Sequence, residues 1–275
     1  MSNYAFNTYP QALTIAGSDS GGGAGIQADL KTFQMRKVFG TSVITAVTAQ
    51  NTQGVWDIHP IPLSTIKNQL KAIAEDFNIQ AFKIGMLGNA DIINCVAESL
   101  QQYQFGRLVL DPVMIAKGGA ALLTENAIES LKTQLLPLAD LITPNLPEVK
   151  VLTGIDVINN QTAQQAASKL QQLGVQNILI KGGHTECFAG DESNDWLFTT
   201  DEMLILPAKR FNTPHTHGTG CTLSACITAE LAKGHNIKEA VITAKKFITA
   251  AISHPLNIGH KYGPVNHWAF QQFSE

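Results

Sequence analysis

The strongest constraint on the fold is a repeated alternation between short apolar runs and longer amphipathic stretches. Ala12–Gly17, Ser42–Ala49, Ala81–Gly85, Arg107–Leu110, Leu141–Thr143 and Asn177–Ile180 read as strands. Between them, Ala24–Arg36, Ser64–Phe77, Ala90–Gln102, Glu125–Leu135 and Thr162–Leu173 read as helices. Gly218–Ala232 and Ile237–His254 close the series as two more helices. Ser64 is placed to cap the start of its helix, and Gly174 to end the helix before it. Strands that alternate with helices form a mainly parallel sheet with helices on both faces. One stretch departs from the pattern: Trp196–Thr199 and Met203–Leu206 flank Thr200-Asp201-Glu202 as a hairpin, which adds an antiparallel edge. The expected class is α/β, built as three α/β/α layers.

With 44% hydrophobic residues, the 275-residue chain can bury a substantial core. No repeat, low-complexity tract or linker divides it, so one domain over residues 1–275 is expected. A net charge of −3 without a long Lys or Arg run argues against nucleic acid or an anionic membrane as partner. Met1–Pro10 lacks the pattern of a signal peptide, and no apolar window reaches the roughly 20 residues of a membrane span. The cysteines Cys95, Cys187, Cys221 and Cys226 form no C-x-x-C, and the eight histidines form no metal-binding cluster. Reduced thiols in a cytoplasmic protein are expected. Cys95 and Cys226 belong to helical patterns and are assigned to the core, and Cys187 to a polar loop.

In open parallel sheets, ligands bind beyond the carboxyl ends of the strands. The polar residues there are Ser18-Asp19-Ser20 with Gly21–Gly25, Gln50-Asn51-Thr52, Asp111, Thr143-Pro144-Asn145 with Glu148, and Lys181-Gly182-Gly183-His184. Asp111 and Glu148 are hard oxygen donors suited to Mg²⁺, and Lys181 can offset phosphate charge. Each also has a plain structural reading. Asp111 before a proline can cap a turn, Glu148 can cap a short helix beginning near Asn145, and Lys181 can be a solvated strand end. Neither glycine loop matches a phosphate-binding G-x-x-x-x-G-K-[ST] pattern, and Gly21–Gly25 lacks the dinucleotide spacing.

His217-Gly218-Thr219-Gly220-Cys221-Thr222 opens the apolar run Leu223–Leu231. Small residues at a loop-to-helix junction leave backbone N–H groups uncovered, which favours negative charge. A cysteine there is expected to have its thiolate stabilised by the helix N-terminus. A place for developing phosphate charge beside a base is what phosphoryl transfer needs.

These blocks together resemble the ribokinase-like superfamily. Within it they resemble the bacterial hydroxymethylpyrimidine/phosphomethylpyrimidine kinases of thiamine biosynthesis. The resemblance rests on Leu13–Ser20, Gly22–Phe33, Ser42–Ala46, Lys83–Leu87, Leu110–Met114, Leu141–Glu148, Lys181–His184 and Thr216–Ser224. It implies a ribokinase-like fold and ATP- and Mg²⁺-dependent phosphorylation of 4-amino-5-hydroxymethyl-2-methylpyrimidine, then of its monophosphate. By the same resemblance, Gln50 reads the aminopyrimidine edge, and Asp19, Gly17, Met86 and Val113 form the rest of the substrate pocket. Asp111 and Glu148 serve Mg²⁺. Thr143, Asn145, Lys181 and Thr216 serve the nucleotide phosphates. Gly218 and Gly220 line an anion hole, with Cys221 as the base where ribokinases carry Asp. Ile115–Leu122 corresponds to a flap, and the family is commonly homodimeric. His215 stands where the family often has Asn, and Gln50 where some relatives have Glu. The other readings are a pyridoxine/pyridoxal kinase, or a non-catalytic vitamin-binding protein on the same scaffold.

Overall fold

The computed structural model describes residues 9–114, 123–183 and 193–273. The expected flap Ile115–Leu122, Cys187 and most of the loop Thr185–Asp195 lie outside the described residues. The first part of the chain forms β1 (Gln11–Ala16), α1 (Gly25–Met35), β2 (Phe39–Ile44), β3 (Ala46–Asn51), β4 (Gly54–Pro60) and α2 (Leu63–Asp76). The middle forms β5 (Ala81–Ile84), α3 (Ala90–Gln102), β6 (Arg107–Leu110), α4 (Glu125–Ser130), β7 (Leu141–Ile142), α5 (Leu146–Thr153) and α6 (Asn160–Gln172). The last part forms β8 (Asn177–Ile180), β9 (Asp195–Phe198), β10 (Met203–Leu206), α7 (Thr219–Ala232), α8 (Ile237–Ser253) and α9 (Ala269–Phe273).

Eight strands make one sheet in the order β10-β9-β8-β7-β6-β5-β1-β2. The pairs from β2 to β8 are parallel; β8–β9 and β9–β10 are antiparallel, as the hairpin predicted. Strand β1 is buried at every position, which a strand covered on both faces requires. Its alternate residues serve two cores. Leu13 and Ile15 join Phe82, Ile84 and Leu110 on one face, packed with residues of α2 and α3 such as Ile66, Leu70 and Ile93. Ala12 joins Ala81, Val109 and Leu141 on the other, beneath Phe33 of α1 and the side chains of α7 and α8. Helix α7 is apolar on nearly all sides because α1, α8 and the sheet surround it.

The run Ser42–Ala49 is not one strand. Thr45 completes pairing with Ala16 through its N–H (3.0 Å), gives its hydroxyl to the Met86 carbonyl (3.0 Å), and accepts Ile61 N–H on its own carbonyl (2.9 Å). β1 has ended by this point, so the chain beyond Thr45 has no sheet partner. It pairs instead with β4 as a separate antiparallel ribbon. Two smaller expectations also fail. The helix α2 begins at Leu63 behind Pro62, so Ser64 is inside it and caps nothing. The stretch Glu125–Leu135 is α-helical only to Ser130, then continues as a π-turn over Leu131–Leu135.

Candidate functional site

The structure brings the two glycine loops into direct contact. Gly218 takes a left-handed conformation (φ 79°), and a Cβ there would run into the Gly23 carbonyl oxygen. Gly25 (φ 56°) is equally closed to a side chain, because its Cβ position is filled by the Gly17 carbonyl. Helices α1 and α7 therefore start side by side, over the carboxyl ends of β1, β5 and β6.

Asp19 organises the first loop. Its carboxylate accepts N–H groups from Gly21 (2.8 Å), Gly23 (3.0 Å) and Ala24 (2.8 Å), and lies 2.9 Å from His217 Nε2. A carboxylate only accepts, so His217 Nε2 carries the shared hydrogen. Burial opposes the charge on Asp19, yet His217 and the loop amides hold its carboxyl below the usual range. His217 thus ties the second glycine loop to the first. Gln50 Nε2 lies 3.5 Å from the same ring nitrogen. Gln50 sits on the ribbon strand β3, not at a sheet-strand end, and is fixed by Ser20, whose hydroxyl bonds both its N–H and its carbonyl. Met86 packs across Gly17, where a Cβ would meet the Met86 methyl at 2.6 Å. Gly17, Asp19, Gln50 and Met86 therefore meet along one wall.

The opposite wall is acidic and cationic. Lys181 Nζ lies 2.9 Å from Asp111 Oδ1, and this lysine is largely buried, so it is not a solvated strand end. Asp111 also accepts the hydroxyls of Thr143 (3.3 Å) and Ser224 (3.2 Å). Burial works against the Asp111 charge, and Lys181 and Lys83 overcome it, keeping the carboxyl below its ordinary value. Glu148 and Asn145 form the capping box of α5, with bonds of 2.8 and 2.9 Å, so the plain reading of Glu148 holds. Burial pushes Glu148 up to about 7, with Lys181 opposing and Asp111 adding to the rise. Two neighbouring buried carboxylates are a donor pair that a divalent cation would complete. Mg²⁺ commonly takes one or two carboxylates and fills its remaining positions with phosphate and water. Among the described residues, no group of three or more His, Cys, Asp or Glu is gathered around a metal position. Val113 follows Asp111 in a tight turn, its N–H on the Asp111 carbonyl (2.8 Å).

The second glycine loop touches this wall. A Cβ on Gly220 would lie 3.4 Å from Lys181 Nζ and 3.6 Å from Asp111 Oδ2. Thr216 precedes the loop and accepts the Thr219 hydroxyl on its carbonyl (2.7 Å). Cys221 follows in the first turn of α7, half-buried, with its thiol close to the backbone of Gly25. The expectation of a lowered thiol is overturned. Burial pushes Cys221 up to about 11; Lys83 opposes this, and Asp29 and Asp111 reinforce it. Cys95 and Cys226 are core residues, as expected.

Four participants do not stand out from the sequence as individual residues. His217 was read only as part of its loop. His267 is buried and lies 3.1 Å from the Thr222 hydroxyl, behind the start of α7. Lys83 and Asp29 form a fully buried ion pair of 2.5 Å beneath Cys221. A lysine inside an apolar strand was the available signal. His215, which stands where the family often has Asn, is half-buried against Gly263, and its Nδ1 is buried without a hydrogen-bond partner among the described residues.

A family model described as phosphomethylpyrimidine kinase matches residues 19–266. A hydroxymethylpyrimidine/phosphomethylpyrimidine kinase from Haemophilus influenzae is 64% identical over 263 residues, covering 95% of this chain and 98% of that protein. A pyridoxal kinase from Bacillus subtilis, solved as an ADP complex, superimposes with a TM-score of 0.88 at 41% identity, over 96% of this chain and 99% of that one. A phosphomethylpyrimidine kinase from Clostridium difficile superimposes with a TM-score of 0.78 at 45% identity, over 88% of this chain and 99% of that one.

Proposed function

Since the chain belongs to the phosphomethylpyrimidine kinase family, we propose that it transfers the γ-phosphoryl group of ATP to 4-amino-5-hydroxymethyl-2-methylpyrimidine and then to the resulting monophosphate. The observation that carries this is the meeting of Cys221, the Gly218–Gly220 amides and the Lys181–Asp111 pair at the start of α7. The Gly17–Met86 wall and Gln50 face the other side of that start. Gln50 reads the aminopyrimidine edge: His217 Nε2 already donates to Asp19, so the Gln50 amide is left to an outside partner. Asp19 acts by shaping the loop, and Val113 lines the pocket through its backbone.

Cys221 takes the proton from the substrate hydroxyl as its oxygen attacks the γ-phosphorus. The amides of Gly218 and Gly220 receive the charge that develops on the transferred group. Lys181, Thr143, Asn145 and Thr216 hold the nucleotide phosphates. Asp111 and Glu148 would hold Mg²⁺, which when bound neutralises phosphate charge and orients the leaving group. A thiol base needs a reducing compartment, so the cytoplasm is the proposed location. The ribbon leaves Val47, Val55, Trp56 and Ile58 exposed, which supports a homodimer; its mass in solution tests this.

Mass spectrometry of the products formed from ATP, Mg²⁺ and the pyrimidine alcohol should show one and then two added phosphates. No phosphorylated product would overturn the proposal. The likeness to a pyridoxal kinase favours a second activity on pyridoxal, a flat heteroaromatic ring with a hydroxymethyl arm. In competition, the pyrimidine should win by kcat/KM.

A further inference from the structure

A charged side chain inside an apolar sheet face needs a reason. Lys83 lies on β5 opposite Thr14 of β1 in the parallel register. Their neighbours on this face, Ala12 and Ala81, belong to the core beneath α1 and α7. The Lys83 side chain is 0% exposed, and so is that of Asp29. Asp29 takes Lys83 Nζ at 2.5 Å on one oxygen and the Thr14 hydroxyl at 2.6 Å on the other. The lysine then reaches past this pair to the backbone carbonyl of Cys221, at 3.4 Å. Gly25 and Asp29 are four residues apart on α1 and lie on one face of it. One helix therefore places Gly25 beside the Cys221 sulfur and supplies the carboxylate that locks Lys83.

A pair used only for stability would be a poor choice here, since well-packed apolar residues often do as well as a buried ion pair. The charged groups around Cys221 are Lys83 on β5, Asp29 on α1, Asp111 after β6 and Lys181 after β8. Lys181 and Asp111 bond each other and face the nucleotide side. Lys83 alone approaches Cys221 from within the sheet. We infer that Lys83 is a positioning residue for Cys221: locked by Asp29, it holds the first turn of α7 by the Cys221 carbonyl and supplies the positive charge against which the sulfur ionises. Asp29 sets how much of that charge the sulfur feels. Burial drives the Cys221 thiol up, and Lys83 is the largest opposing influence.

This inference rests on Cys221 as the base, but its test does not depend on turnover. The full-length protein is alkylated with iodoacetamide across a range of pH, and the Cys221 peptide is followed by mass spectrometry. Lys83→Met should raise the midpoint, slowing alkylation at pH 8 by up to about tenfold for each pH unit of displacement. Asp29→Asn is isosteric and leaves Lys83 without its anion, so it should lower the midpoint. Opposite displacements from the two halves of one pair are the expected result, because a purely structural pair would move both variants the same way. An Asp29→Asn midpoint that is unchanged or raised overturns the inference, whether or not Lys83→Met folds. Turnover by Cys221→Ser is measured separately: near-normal turnover there removes the base assignment while leaving the alkylation result standing.

Discussion

At the residue scale, Cys221 shows how far residue type can be read and where burial intervenes. Its place at a helix start was legible from His217–Thr222, but its ionisation was not, because no pattern in the chain shows how deeply Gly25 and the sheet enclose the sulfur. The thiol rises from 9 to about 11, so it is neutral at pH 7 and its thiolate share grows as pH increases. Where proton removal limits the rate, kcat should climb about tenfold per pH unit between roughly pH 7 and 10. Cys221→Ala should cut kcat by roughly 10²-fold or more and abolish that climb. Gly218→Ala is the harsher change. Its methyl would collide with the Gly23 carbonyl in a left-handed conformation, so Tm should fall by several degrees and turnover should be lost together.

At the element scale, helix starts and strand ends were legible because caps and apolar periods are local. Asp111, Thr143 and Lys181 follow their strands as expected. The ribbon was not legible. Val43-Ile44-Thr45-Ala46-Val47-Thr48 contains no Gly, Pro or Asn to mark the exit at Thr45, and tertiary bonds to Ala16, Met86 and Ile61 decide it. Gln50 therefore lies on the ribbon strand β3 and not beyond a strand of the main sheet. Two capping boxes separate stability from function. Asn236→Ala, at the start of α8, should cost about 1 kcal/mol and leave kcat/KM for ATP unchanged. Asn145→Ala should cost a similar amount and also weaken Mg²⁺-dependent turnover, because Glu148 and Asn145 cap the same turn. Thermal melts paired with Mg²⁺ titrations of activity distinguish the two outcomes.

At the scale of the whole molecule, the outline of the sheet was legible and its long-range polar locks were not. His267, far along the chain from Thr222, is one such lock. Burial presses its ring down to about 4 from 6.5, with Lys31 adding to the effect. The folded ring stays neutral where an unfolded one would protonate. The stability it confers is complete above about pH 6.5 and is lost as pH falls through 4, amounting to about 3 kcal/mol. Denaturant unfolding of His267→Gln should show a flatter dependence over that interval. The cup of amides at Gly21, Gly23 and Ala24 has a different consequence. The chain keeps a resident counter-ion of its own there, so an inorganic oxyanion soaked into crystals should settle over Gly218–Cys221 and pass the other seat by. Only trimming that resident carboxylate, as in Asp19→Ala, should make both seats available to a guest.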